Sequence, residues 1–132
     1  MNTHSGSGEI HDAAAGGDLE KLKALLKGNP EWVFARDPNG WTPLHRAAAL
    51  GHKDAVALLL ASKAETNARD NDGETLLHFA AELGHADVVE LLLANKAEVN
   101  AKNKNGNTPL HAAVVEGHKD VAEALRQHRG HE

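Results

Sequence analysis

Two segments of the chain carry apolar residues at positions i, i+3 and i+4: Val56, Leu59 and Leu60, then Val89, Leu92 and Leu93. This spacing places the apolar side chains on one face of a helix. A shorter apolar segment that includes Leu44, Ala47 and Ala48 precedes the first of them and ends at Gly51. The pattern predicts pairs of short helices. Helices of this length are not stable alone, so each must pack on its neighbours.

The same residues return at an interval of 33. The pattern Gly-x-Thr-x-Leu-His occurs three times, and a Gly-His pair follows each copy, at residues 40–45 with 51–52, 73–78 with 84–85, and 106–111 with 117–118. Residues 36–68 and 69–101 share 22 identities in 33 positions. Residues 10–14 form an imperfect fourth copy, displaced by one inserted residue near Pro30. The chain is therefore a repeat array.

The start of each unit has residues suited to a turn followed by a helix. Thr42 is predicted to cap the first helix with its hydroxyl, and Pro43 suits the first helical position, where a missing amide proton costs nothing. The dipeptides before the first helices accept positive φ and predict tight, hairpin-like turns. They are Asn39-Gly40, Asp72-Gly73 and Asn105-Gly106.

These motifs resemble the ankyrin repeat family, whose units carry Gly-x-Thr-Pro-Leu-His-x-Ala-Ala, then Gly-His, Leu-Leu and Asn-Ala. The resemblance implies an all-α solenoid of stacked helix-turn-helix units with hairpin-like turns. We expect a complete, capped array: a flexible tail at 1–8, an N-terminal capping repeat at 9–35, repeats at 36–68 and 69–101, and a C-terminal capping repeat at 102–132. The family usually has glycine after its second helix, where Lys63 and Lys96 stand here. Both lysines are predicted to adopt positive φ, at a cost of about 1 kcal/mol relative to glycine.

Composition and charge narrow the partners. Ala and Leu supply 40 of the 132 residues, which favours helix, and 19 acidic against 14 basic residues give a net charge of −5. An acidic chain has no general phosphate-binding surface, so nucleic acid is not a predicted partner. No stretch approaches the roughly 18 apolar residues of a membrane span, and the first eight residues do not resemble a signal peptide. We expect a cytoplasmic monomer.

Catalytic and metal chemistry find little support. The absence of cysteine excludes disulfides, thiolate ligands and a thiol nucleophile. Equivalent histidines of neighbouring units should lie roughly 8–10 Å apart, whereas zinc requires every ligand at about 2 Å from one ion. We expect His45, His78 and His111 to bond backbone or threonine groups, and His52, His85 and His118 to help start the second helices. Neither an enzyme nor a cofactor or metal site is predicted.

The resemblance implies a non-catalytic module that binds a partner protein on a concave face formed by turn tips and first helices. The positions carried over are Asn39, Trp41, Arg46, Ala49, Leu50, Asn71, Asp72, Glu74, Phe79, Glu82, Leu83, Lys104, Asn105, Asn107, Val115 and Glu116. Residues 69–101 hold seven acids and two bases, and Trp41 lies one unit away. This arrangement favours a partner with a basic segment next to an apolar anchor. Alternatively, the acids only keep the surface soluble and Trp41 packs on the neighbouring turn.

Two other functions fit the same sequence. The chain could be a stand-alone inhibitor that occludes a partner enzyme, or an artificial stability scaffold with no natural partner, as the high identity between units suggests. Asn100, eight residues after Leu92, resembles the context in which ankyrin asparagines are hydroxylated by an oxygenase in animal cells. Asn67 after Leu59 is a weaker copy. The alternative is that Asn100 only bonds the turn.

Overall fold

The computed structural model describes residues 5–132, with side chains from residue 8 onward. Eight α-helices and one 3-10 helix form this part of the chain. They are α1 (Ser5–Gly16), α2 (Leu19–Gly28), the 3-10 helix (Pro30–Phe34), α3 (Pro43–Ala49), α4 (Lys53–Ala61), α5 (Leu76–Leu83), α6 (Ala86–Ala94), α7 (Pro109–Val115) and α8 (Lys119–Gln127).

The helices pack in two layers. Helices α1, α3, α5 and α7 lie side by side in the first layer, and α2, α4, α6 and α8 form the second. Each first helix also packs on the second helix of its own unit. Fully buried leucines such as Leu44, Leu59 and Leu92 lie within this stack. The predicted all-α solenoid is confirmed.

The tail predicted at residues 1–8 is corrected in part. Helix α1 begins at Ser5, so residues 5–8 are helical. The prediction for residues 1–4 lies outside the described residues.

Threonine and histidine cap the first helices together. The Thr42 hydroxyl oxygen accepts a bond from the His45 amide at 3.3 Å, and the Thr42 amide donates to His45 Nδ1 at 3.0 Å. Thr75 and His78 repeat both bonds. Histidine thus takes the place that glutamate holds in a capping box. The expected bonds of His45 and His78 to threonine and backbone groups are confirmed.

The second set of histidines joins neighbouring units. Nε2 donates to a main-chain carbonyl of the preceding unit, from His52 to Ala15 at 2.8 Å, from His85 to Ala49 at 2.9 Å and from His118 to Glu82 at 2.9 Å. These residues precede the second helices, but their side chains make no cap bond. They are nevertheless the N-cap residues, and their main-chain carbonyls accept the first helical bonds, so the prediction that they help start those helices holds for the main chain and not for the imidazoles. Each ring faces the preceding unit, where the end of a first helix offers a free carbonyl.

Backbone and arginine bonds connect the turns. Arg36 Nη1 donates to the carbonyls of Gly40 at 2.8 Å and Arg69 at 2.7 Å. Arg69 repeats this with Gly73 at 3.0 Å and Lys102 at 2.7 Å. The tips are also joined directly: the Asn71 amide donates to the Asn39 carbonyl, and the Lys104 amide donates to the Asp72 carbonyl, each at 3.1 Å. The turns thus form a continuous edge along the stack.

The loops after the second helices are joined by asparagine. Asn67 donates to the Lys96 carbonyl at 3.3 Å and accepts from the Glu98 amide at 2.7 Å. Asn100 makes the same two bonds, to Arg129 and from His131. Phe34 stands at the equivalent position of the first unit, and its side chain is 51% exposed. A phenylalanine side chain cannot make these two hydrogen bonds, so the first junction lacks this bridge by a side-chain amide.

Candidate protein-binding face

The positions predicted to bind a partner differ in accessibility. Most of them are exposed: Asn39, Leu50, Asn71, Asp72, Glu82, Leu83, Lys104, Asn105, Val115 and Glu116. Five are half-buried: Trp41, Arg46, Glu74, Phe79 and Asn107. Ala49 is buried, so it can form only the floor of a site. Twelve of the sixteen predicted positions line two adjacent depressions on the side of the first helices, whereas Asn71, Asp72, Phe79 and Lys104 line neither.

The first depression, here called the apolar groove, lies between the units at 36–68 and 69–101. Trp41, Ala49, Leu50 and Leu83 provide its apolar surface, and Asp37, Asn39 and Arg46 complete its lining. The leucines are accessible, with Leu50 54% and Leu83 48% exposed. Exposed apolar side chains grouped in a depression are typical of a binding site.

Trp41 is part of the frame of this groove. Its ring packs on Phe79, with centroids 4.8 Å apart, and stacks on His45 at 6.0 Å. Its Nε1 donates to Asp70 Oδ2 at 3.0 Å. Of the two alternatives for Trp41, the structure thus has the packing on the neighbouring turn: one edge of the ring is bonded to that turn, and the ring also lines the groove.

The second depression, here called the acidic groove, lies one unit further along. Glu74, Glu82 and Glu116 line it, together with the apolar Val115 and Ala112. Its remaining lining is polar: His78, Asn103, Asn105, Asn107 and His111. The two grooves occupy equivalent positions between successive units, so the repeat presents an apolar site and an acidic site next to each other.

The acids of this face are not equally available. Asp70 accepts from Trp41 and from the amides of Asp72 and Glu74, the last two at 2.9 Å. Glu74 Oε1 accepts from Asn103 Nδ2 at 2.9 Å. These acids therefore hold the turns in place, which the sequence alone did not indicate.

The exposed acids offer more to a ligand. Asp72 pairs with Lys104 at 3.8 Å, with both side chains more than 70% exposed. The carboxylates of Glu82 and Glu116 have neither an ion pair nor a hydrogen bond among the side chains that the structure describes. They are the acids most available to a basic partner.

Asp37 and Arg46 fix the edge of the apolar groove. Arg46 Nη2 lies 3.3 Å from Asp37 Oδ2, and Asp37 Oδ1 accepts from the amides of Asn39 at 2.9 Å and Trp41 at 3.0 Å. Burial alone would raise the pKa of Asp37, but these hydrogen bonds outweigh it and lower the pKa below 3.8. The carboxylate therefore stays charged and holds Arg46 beside the groove.

Besides Ala112, four lining residues of the grooves were not among the predicted positions. Asp37, His78, Asn103 and His111 line the two depressions. Asp37 and Asn103 share the register of Asp70, so the repeat itself could have indicated that all three lie at the base of a turn. Nothing in the sequence separates them from residues that only support the turn.

Other chemistry receives no support from the described residues. In residues 8–132, no three histidine, aspartate or glutamate side chains gather closely enough to hold a metal ion. No helix in the described part of the chain combines the length and apolarity needed to cross a bilayer.

Two layers of short helices, with turns along one edge and a grooved face on the first helices, define a helical-repeat protein of the binding class. A family model for ankyrin repeats in three copies matches residues 10–103 and 65–132. The chain belongs to the ankyrin repeat family. Ankyrin repeats generally mediate interactions between proteins.

The curated relatives share only part of their length with this chain. Protein phosphatase 1 regulatory subunit 27 of Mus musculus is 38% identical over 61 residues, which is 46% of this chain and 39% of that protein. Probable E3 ubiquitin-protein ligase XBOS32 of Oryza sativa subsp. japonica is 46% identical over 65 residues, which is 48% of this chain and 13% of that protein. NAD-capped RNA hydrolase NUDT12 of Macaca fascicularis is 40% identical over 52 residues, 11% of its length.

Proposed function

We propose that the chain is a non-catalytic module that binds a partner protein across the apolar and acidic grooves. The partner places an apolar side chain between Leu50 and Leu83 and a basic side chain between Glu82 and Glu116. The observation that carries this proposal is the position of an accessible apolar groove beside a groove with two unpaired carboxylates. A complementary pair of contacts supplies both an anchor and the charge that selects the partner.

The frame of the face favours binding. Hydrogen bonds from Arg36, Arg69, Trp41 and Asn103 hold the turns before any partner arrives. A pre-organised face loses little conformational entropy on association. Binding energy from the two grooves is then not consumed in ordering the turns.

The repeat spacing limits the partner's sequence. Packed helices lie roughly 8–10 Å apart, and this separates equivalent points of the two grooves. A segment in the polyproline II conformation advances about 3.1 Å per residue and presents every third side chain on the same side, so the apolar and basic residues should stand about three positions apart. Arginine fits better than lysine, because its guanidinium can donate to two carboxylates at once.

A peptide array tests this proposal. Synthetic peptides in a Gly-Ser background carry one leucine or phenylalanine and one arginine, one to seven residues apart. We expect the strongest binding at a spacing of about three, with a steep decrease as salt rises. The double variant Glu82→Lys with Glu116→Lys should abolish the preference for peptides with arginine. The double variant Leu50→Ala with Leu83→Ala should abolish the preference for peptides with the apolar residue.

The matched control changes the same charges elsewhere. Glu90→Lys with Glu123→Lys alters two exposed acids of the second helices, α6 and α8. This variant should bind as the unchanged chain does. Equal binding by both charge-reversed variants, or no dependence on spacing, contradicts the proposal.

The related alternative is that binding occludes a partner enzyme. The regulatory-subunit name of the mouse relative favours it. An enzyme captured by the chain should then lose activity in proportion to the chain added, and the Glu82 and Glu116 double variant should inhibit less. If the captured enzyme keeps its full activity, the chain binds it without occluding its active site, and the inhibitor hypothesis is contradicted.

Hydroxylation of Asn100 and Asn67 remains a separate proposal. Both side chains are exposed, but both amides are bonded to the following loop. These bonds give the asparagines a structural role without modification. Mass spectrometry of the chain recovered from its source would show an added oxygen if the modification occurs.

A further inference from the structure

The three turn tips share one dipeptide position but differ in their surroundings. Asn39-Gly40, Asp72-Gly73 and Asn105-Gly106 occupy equivalent places. In each, the glycine amide donates to the carbonyl three residues earlier, at 2.9, 3.1 and 2.9 Å. The local turn is therefore the same, and any difference in reactivity must come from what covers it.

The first tip is covered by the following unit. Gly40 is buried, and a Cβ placed there would lie 2.4 Å from Asn71 Oδ1. The main-chain amide of Asn71 also donates to the main-chain carbonyl of Asn39 at 3.1 Å. A change of conformation at Asn39 and Gly40 therefore requires that the first tip separate from the next turn.

The last tip has no such cover. Gly106 is exposed, with no other atom within 4 Å of a Cβ placed there. Within residues 8–132, no main-chain amide donates to the main-chain carbonyl of Asn105. The Asn105 side chain is exposed as well. This dipeptide can change conformation by opening only its own turn.

Asparagine followed by glycine can lose its side-chain amide without an enzyme. The Gly106 main-chain nitrogen attacks the Asn105 side-chain carbonyl carbon, the bond to the side-chain nitrogen breaks, and ammonia leaves with the displaced proton. Water then opens the cyclic imide at either carbonyl. One product is an ordinary aspartate, and the other carries the main chain through the side-chain carbon. Glycine offers no side chain to obstruct the attack.

The aspartate product fits the turn. Asp72 already occupies the equivalent position of the middle tip, where Gly73 keeps the same hydrogen bond, and it lies 3.8 Å from Lys104. An aspartate at position 105 would stand next to Lys104 in sequence and would line the acidic groove, as Asn105 does now. Each event adds one negative charge to that groove.

We propose that Asn105 is a site of spontaneous amide hydrolysis in the folded protein, and that Asn39 is protected by the unit that covers it. This inference concerns the chemical state of the face and does not depend on the identity of a partner. It predicts that the acidic groove becomes more negative as the protein ages.

Timed incubation of the intact chain at mildly alkaline pH, followed by peptide mapping, tests the inference. We expect conversion at Asn105 roughly fivefold or more faster than at Asn39, because exposure at Asn39 must break at least one further hydrogen bond. Incubation in ¹⁸O-labelled water should place the label in the new carboxylate. In denaturant the protection of Asn39 should disappear.

Matched variants separate the cause. Asn105→Gln should show no conversion at position 105, while Asn39 keeps its rate. Asn71→Pro, the residue that the first tip already carries at the equivalent Pro38, removes both the side chain and the main-chain amide donor that hold the first tip, and it should accelerate conversion at Asn39. Equal rates at Asn39 and Asn105 in the folded chain, or a stable Asn105 in the folded chain beside rapid conversion in denaturant, would overturn the inference.

Discussion

The indole nitrogen of Trp41 donates to the Asp70 carboxylate at 3.0 Å, and the equivalent bond of the next junction runs in the opposite direction. There Asn103 Nδ2 donates to Glu74 Oε1 at 2.9 Å. Glu74 is the counterpart of Trp41, and Asn103 is the counterpart of Asp70. Each junction thus contains one donor and one acceptor, on exchanged sides.

Because each junction pairs one donor with one acceptor, replacing the donor with a second acceptor should lower the free energy of unfolding. Asn103→Asp keeps the oxygen that accepts from the turn amides but sets a second carboxylate against Glu74. We expect a loss of about 1–2 kcal/mol in the free energy of unfolding at neutral pH, measured by urea denaturation. Adding Glu74→Gln restores a donor opposite the carboxylate and should recover most of the loss. A double variant as unstable as the single one would contradict the pairing.

Two lysines carry the backbone strain predicted from the sequence. Lys63 has φ of 76° and Lys96 has φ of 68°, as expected. Glycine at either position should raise the free energy of unfolding by about 1 kcal/mol and the melting temperature by roughly 3 °C. Alanine at the same positions removes the lysine side chain but keeps the strain, and it should give no such gain. An unchanged or lower melting temperature for both glycine variants would refute this explanation.

A comparison of substitutions at Gly84 and Gly117 distinguishes the cost of backbone strain from the cost of steric crowding. Both have positive φ, 74° and 76°, but a Cβ at Gly84 would lie 2.6 Å from His118 Nδ1, whereas one at Gly117 meets nothing within 4 Å. Gly117→Ala should cost about 1 kcal/mol and Gly84→Ala about 2–3 kcal/mol, by thermal and urea unfolding. In a His118→Ala background the two costs should become similar. A persistent difference there would assign it to another cause.

His45 makes stability depend on pH. Burial lowers its pKa from 6.5 to about 4, and its Nε2 has no hydrogen-bond partner. Below pH 6.5 the unfolded chain takes up a proton that the folded chain does not, so stability falls as the pH decreases toward 4. Between pH 6.5 and pH 5 the loss should be about 2 kcal/mol.

Glutamine at this position provides the comparison. His45→Gln can still accept from the Thr42 amide but cannot be protonated in this range. Urea unfolding at several pH values should show a weaker decrease for this variant than for the unchanged chain. All other histidines are common to both proteins, so equal pH dependence would exclude His45 as the source.

The sequence was sufficient for the repeat, the helices and the caps. Thr42 caps its helix as predicted, and Thr75 caps the next one in the same way, because a cap depends on residues three positions apart. The fixed period also placed the turns at equivalent positions, since the same local chemistry recurs in each unit. Local rules therefore carried most of the fold.

The bonds between units were harder to predict. His52 donates to Ala15, and Trp41 donates to Asp70, across separations of 37 and 29 residues. Which side chain faces the neighbouring unit depends on the angle and offset of the stack, which no local pattern specifies. The availability of an acid depends on the same geometry. Asp70 and Glu82 look alike in the sequence, but among the described residues only the Glu82 carboxylate is left without a hydrogen-bond or ion-pair partner.

The asparagine bridge has a mechanical consequence. Asn67 and Asn100 connect the loops of later units, and the first unit has Phe34 in that place. Under tension applied to the two ends, the junctions of a linear stack bear load in series. His11 and His52 still cross the first junction, but it lacks the asparagine bonds of the later ones, so we expect it to yield first. Stretching single molecules should therefore detach the N-terminal helices before the inner units extend, while the two grooves still keep their shape.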